Sequence, residues 1–94
     1  MIYVVCVNKV LKENIEPFLK AALEHASISK STDKGCLRFD VSKYNEMNNE
    51  IVFFELWESK EYLDKHTNRC SGSELLRVIQ ENRYNKILNI YEIL

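Results

Sequence analysis

Apolar residues alternate with period two at the start of the chain. Ile2, Val4 and Cys6 share one strand face with Asn8, while Tyr3, Val5 and Val7 share the other. Both faces are apolar, which predicts a central strand covered on both sides. The period then lengthens. Ile15, Phe18, Leu19, Ala22, Leu23 and Ala26 recur at helical spacing and predict a helix over about Glu13 to Ser31. Asn14 is its expected N-cap, and Pro17 is tolerable in the first turn. His25 falls at the edge of the stripe and reads as a surface or boundary residue.

Ser31 to Gly35 reads as a loop and about Cys36 to Tyr44 as a second strand. Leu37, Phe39 and Val41 mark its apolar face. Arg38, Asp40 and Ser42 mark a polar face, suited to a sheet edge or a wet cavity wall. The turn Asn45 to Asn49 closes a hairpin onto the stretch Ile51 to His66. That stretch begins as a strand and becomes a helix, with Ser59 as N-cap, Glu61 near the positive helix end, and Tyr62, Leu63 and His66 on one side. Thr67 to Ser73 is a break containing Gly72. A short helix over about Ser73 to Asn82 and a last strand over about Asn85 to Leu94 complete the chain.

The order β-α-β-β-α-β predicts an α+β domain over residues 1–94, a ferredoxin-like split βαβ fold with an antiparallel sheet. Helices cover one face of such a sheet, yet strands one, three and four are apolar on both. A second copy is the simplest cover. The pattern therefore predicts a homodimer whose sheets pack face to face into a barrel.

Composition narrows the partners. Ninety-four residues with a formal net charge of −1 and scattered basic residues argue against nucleic acid and against an acidic membrane surface. No apolar run approaches membrane-spanning length, and the N-terminus reads as a strand and not a signal peptide. Three widely spaced cysteines without a CxxC suit free thiols in a reducing cytoplasm. Two histidines on different helices, with no close Cys/His pair, predict no metal site. Glycine occurs only as Gly35 and Gly72, too few for a phosphate-cradling loop.

Several residues in order carry a family likeness. Gly35-Cys36-Leu37-Arg38-Phe39-Asp40-Val41, then Phe53-Phe54-Glu55-Leu56-Trp57-Glu58-Ser59, then Tyr62-Leu63 and His66, resemble the antibiotic biosynthesis monooxygenase (ABM) domain family. Element order extends the likeness over essentially the whole chain, and Phe54 to His66 is its most specific part. The resemblance implies a dimeric α+β barrel with a pocket between sheet and helices in each protomer. It also implies a cofactor-independent oxygenase acting on a quinol, phenol or polycyclic substrate. Other relatives degrade haem, isomerise small signalling molecules or have no known activity. The chain departs at Asn68 to Ser73, where family members often carry a second histidine and this sequence has none.

Oxygenation without metal or flavin requires a substrate that is itself a reductant. The protein must then bind an aromatic molecule, assist its deprotonation, stabilise the resulting anion and exclude water. Asn8 is the candidate hydrogen-bond partner for a substrate oxygen. His66 is the candidate base or proton relay. Trp57 is the candidate aromatic wall, and Arg38 and Glu55 are candidates for orienting polar groups. Asn8, Trp57 and His66 each have a plainer reading, as a strand-end residue bonded to the backbone, a core residue and a satisfied buried histidine. The expectation is a monooxygenase for a small aromatic or quinol-type molecule. The alternatives are a haem-binding or haem-degrading relative and a non-catalytic dimeric binding module.

Overall fold

The computed structural model describes residues 1–94. The strands are β1 (Ile2–Lys9), β2 (Cys36–Val41), β3 (Glu50–Trp57) and β4 (Asn85–Glu92), and the helices are α1 (Ile15–Thr32), α2 (Lys60–Cys70) and α3 (Glu74–Asn82). The four strands form one sheet in the order β2-β3-β1-β4, with every neighbouring pair antiparallel. This is the ferredoxin-like α+β arrangement expected from the sequence. No helix is long and apolar enough to cross a membrane.

The helices pack on one face. Ile2, Val4, Cys6 and Asn8 of β1 point into it, beside Ile51, Phe53, Glu55 and Trp57 of β3, and all eight are buried. Phe18 stacks on Phe53 with ring centroids 5.9 Å apart, and Phe39 packs on Phe53 at 5.7 Å. Trp57, Phe18, Phe39, Ile51 and Ile79 are the largest fully buried apolar side chains of this core. The opposite face has no cover from the chain itself. Tyr3, Ile87 and Tyr91 are exposed there, and Val52, Phe54 and Leu56 are half-buried.

Local signals explain the helix boundaries. The Ser59 hydroxyl accepts a hydrogen bond from the Tyr62 N–H at 3.4 Å, and the Ser73 hydroxyl accepts one from the Leu76 N–H at 3.2 Å. Asn14 makes no such bond, contrary to the capping expected of it. A 3-10 turn over Lys12–Asn14 leads into α1 instead. The buried stripe of α1 is Phe18, Ala21, Ala22, His25, Ala26 and Ser29. It is rotated from the expected stripe: Leu23 is 57% exposed and His25 is buried. Small alanines let the helix lie close to the sheet, and the imidazole fills the space a larger apolar residue would have taken.

Strand β2 also departs from strict alternation. Cys36 pairs with Trp57 and Arg38 with Leu56, so Leu37 is an extra residue in a bulge. The bulge turns Leu37 out to solvent while Phe39 stays on the helix face. Just before it, Gly35 has φ of 86° and lies under the Tyr62 ring, where a β-carbon would overlap the ring atoms.

Candidate functional site

Strand β4 shapes the site. It pairs with β1 along its whole length, yet all eight of its residues are exposed because no helix reaches across to it. Leu88 and Ile90 lie on the helix-side face beside Cys6 and Val4. A cavity of about 330 Å³ opens there, between the sheet and helices α2 and α3. Val4, Phe39, Phe53, Leu63, Leu76 and Ile79 give it largely apolar walls. Polar groups enter from six places: His25 from α1, Glu55 from β3, Asp64, His66 and Cys70 among others from α2, Gln80 from α3, Arg83 from the link before β4, and Lys86 from β4.

His66 is the centre of the group. Its ring lies on Trp57 with centroids 4.6 Å apart, and the His25 ring stands 5.4 Å away. His25 in turn meets Phe39 edge-on at 5.3 Å. Nδ1 of His66 is 2.5 Å from a carboxylate oxygen of Asp33. Arg69 grips the same carboxylate with two donors, one of them Nη2 at 2.8 Å. Burial raises the Asp33 carboxyl, but the hydrogen bonds from Arg69 and His66 outweigh it and hold it below its ordinary value. Burial lowers His66 below its ordinary value in spite of that carboxylate, so near neutrality the ring is neutral and donates Nδ1–H to Asp33. Burial lowers His25 further, to about 4, with His66 and Arg69 contributing in the same sense.

Glu55 is the buried acidic group of the cavity; the other carboxylate lining it, Asp64, is exposed. Glu55 is 7% exposed, and its Oε1 accepts a hydrogen bond from Trp57 Nε1 at 3.0 Å. Burial pushes its carboxyl up to about 7, and the Trp57 hydrogen bond opposes this only in part. Glu55 therefore exchanges its proton near neutral pH.

The sequence-predicted residues fall in three places. Glu55 and His66 line the cavity. Trp57 is fully buried one layer behind, touching His66 and Glu55 and not the cavity itself. Asn8 is also fully buried, and its side chain is used up within the protein. Its Nδ2 donates to the Ile51 carbonyl at 3.0 Å and the Cys6 carbonyl at 3.4 Å, while Oδ1 accepts from Arg83 Nη1 at 2.9 Å. Asn8 thus positions Arg83, and Arg83 meets the cavity. Arg38 does not belong to the site. It lies on the open face opposite Leu56 and bonds to Asp40 at 2.9 Å.

Sequence reasoning missed His25, Asp33, Cys70 and Arg83. A signal existed for the first and third. His25 is seven residues after Phe18 on α1, and Cys70 is four after His66 on α2, so each shares a buried face with a recognised residue. The expectation that histidine and cysteine would stay apart is overturned: His25, His66 and Cys70 converge at the cavity wall.

A sequence model of the antibiotic biosynthesis monooxygenase family matches residues 1–80. The chain belongs to this family. ABM folds recur among its structural neighbours. A conserved protein of unknown function from Bacteroides thetaiotaomicron superposes with a TM-score of 0.86 at 23% identity, covering 98% of this chain and 96% of its own. An antibiotic biosynthesis monooxygenase gives 0.81 at 19% identity, covering 100% and 99%. SnoaB of Streptomyces nogalater, a cofactor-independent oxygenase, gives 0.81 at 11% identity, covering 98% and 91%. At these identities the likeness establishes the fold alone. No curated protein matches the chain at a significant level.

Proposed function

We propose that this ABM protein is a cofactor-independent monooxygenase for a small electron-rich aromatic substrate, a phenol or quinol held in the cavity under β4. The observation that carries this reading is Glu55, a buried carboxylate facing a cavity of about 330 Å³ with Val4, Phe39, Phe53 and Ile79 among its apolar walls. A group with a pKa of about 7 in that position accepts a phenolic or benzylic proton near neutrality. The substrate anion then gives its electrons to dioxygen. For an anthrone-type methylene, one oxygen atom becomes the product carbonyl and the other leaves as water. Arg83, held by Asn8, lies where it offsets the developing negative charge. Trp57 and Asp33 fix the His66 ring from two sides, so that His66 forms a rigid polar wall. Family membership supports the oxygenase reading, and SnoaB provides an example on the same fold.

We also propose that the working unit is a homodimer formed through the open sheet face, because that face carries apolar side chains which helices leave uncovered.

Oxygen uptake tests the activity. Wild-type protein with a chelator present is offered a panel of hydroquinones and anthrones. Substrate-dependent uptake, lowered at least about 100-fold by Glu55→Gln, is expected for loss of a general base. Thermal stabilisation by the same compounds with no oxygen uptake would show a binding module and overturn the enzyme reading.

A further inference from the structure

His25, His66 and Cys70 each offer one donor atom, and these atoms lie within 4.8 Å of one another. All three residues are buried, and all three line the cavity. We propose that they form a binding site for a borderline-soft divalent cation of the zinc type, with three protein ligands and a fourth position open to the cavity.

The donor set decides the class of ion. Two imidazoles and one thiolate suit zinc and its neighbours, whereas magnesium and calcium require oxygen ligands. The spacing also fits. A tetrahedral zinc with ordinary bond lengths sets nitrogen and sulfur about 3.6 Å apart. Cys70 Sγ stands 3.7 Å from His66 Nε2 and 3.6 Å from Nδ1, over the ring, so a turn of the Cys70 side chain is needed to bring it to the Nε2 edge. The two residues sit one helical turn apart on a single face of α2, so the helix itself sets this pair. His25 approaches from α1 and supplies the third corner after a small side-chain adjustment.

Two further features point to a ligand. Asp33 bonds Nδ1 of His66 at 2.5 Å and leaves Nε2 as the free coordinating atom. A carboxylate behind a ligating histidine is the usual support that fixes tautomer and orientation, and here Arg69 anchors it in turn. The His25 ring, though buried, takes no protein hydrogen-bond partner. The one side-chain hydrogen bond His25 receives is at its main-chain carbonyl, from the Ser29 hydroxyl. A cation held there would present its open position to the oxygen or sulfur of any anionic molecule in the cavity.

The test uses Co²⁺ as a coloured substitute for zinc, titrated into the chelator-treated wild-type protein. One equivalent per chain is expected to give intense visible bands of tetrahedral cobalt and a thiolate-to-cobalt charge-transfer band, both erased by Zn²⁺. Cys70→Ser should abolish the charge-transfer band, while Cys36→Ser should leave it unchanged. Asp33→Asn should weaken binding about 10–100-fold with the band retained. Circular dichroism checks that each variant is folded. Absence of the band in the wild type, or its survival in a folded Cys70→Ser variant, would overturn the proposal. The chelated oxygen-uptake assay is a separate measurement, so failure of either reading leaves the other standing.

Discussion

Nδ1 of His66 and the Asp33 carboxylate meet at 2.5 Å although the residues are 33 positions apart in the chain. The contact ties the residue that ends α1 to the middle of α2, with Arg69 closing the other side of the carboxylate. Asp33→Ala removes the acceptor of three donors at once, two of Arg69 and one of His66, and leaves His66 Nδ1–H buried and unpaired. Hydrogen bonds to charged groups predict a loss of about 2–3 kcal/mol, and for a domain of this size a melting temperature lower by roughly 10–20 °C. The pH dependence has a definite sign. The folded carboxyl is held below its ordinary value of 3.8, so the contribution is complete above that value and lost as pH falls through the folded one. Thermal melts of wild type and variant should converge in acid. An unchanged melting temperature at pH 7 would refute the role given to Asp33.

Glu55 gives the opposite dependence. Its carboxyl rises from the ordinary 4.5 to about 7 on folding, so between these values the folded state holds a proton that the unfolded chain releases. Stability contributed by this group is therefore greatest below 4.5 and falls as pH rises through 7. The full difference corresponds to about 3 kcal/mol. Glu55→Gln keeps an oxygen acceptor for Trp57 Nε1 and removes the charge. It should be more stable than wild type at pH 8 by about 2–3 kcal/mol and much closer to it at pH 5. Urea unfolding at the two pH values measures this. Equal differences at both would show that Glu55 is not titrating in the buried state.

The order of elements was legible because β1 and β3 are short runs apolar on both faces, set apart from stripes of helical spacing, and because Ser59 marks a helix start by its chemistry. The site was legible only where one element supplies it. Glu55, Trp57 and His66 lie within twelve residues along a single strand-to-helix passage. Asp33 comes to His66 from a loop and His25 from a different helix, so no local pattern could pair them. The placement of His25 on the edge of its helix failed because stripe position was judged by hydrophobicity. Leu23 won that judgement, while the packing favours the alanines and the flat imidazole beside Phe39. The face of Arg38 was read correctly, but that face looks away from the helices and the cavity.

Gly35 marks the point where loop, sheet and α2 meet. Its φ of 86° disfavours any L side chain, and Tyr62 occupies the space a β-carbon would need. Gly35→Ala should therefore destabilise the fold by about 2–4 kcal/mol, combining backbone strain with overpacking. The clash is with Cγ, Cδ2 and Cβ of Tyr62, so only Tyr62→Gly removes all three atoms. The double variant Gly35→Ala/Tyr62→Gly should thus lose less than the sum of the two single losses. Additive losses in denaturant melts would show that the backbone conformation alone matters.

Tyr91 separates association from folding. It lies on the open sheet face opposite Tyr3 and is 53% exposed in the protomer, as Ile87 is at 48%. A charge placed there meets water if the chain is a monomer, and folding then changes by less than about 0.5 kcal/mol. In a face-to-face dimer the same charge is buried without a partner, which costs several kcal/mol of association. Tyr91→Glu should therefore convert a dimer to a folded monomer, seen as a halved mass in sedimentation with an unchanged far-ultraviolet spectrum. Phe53→Glu, placed in the helix-side core, should instead unfold the chain. A wild-type chain that sediments as a monomer at micromolar concentration would refute the dimer directly, and the open face would then need a different cover.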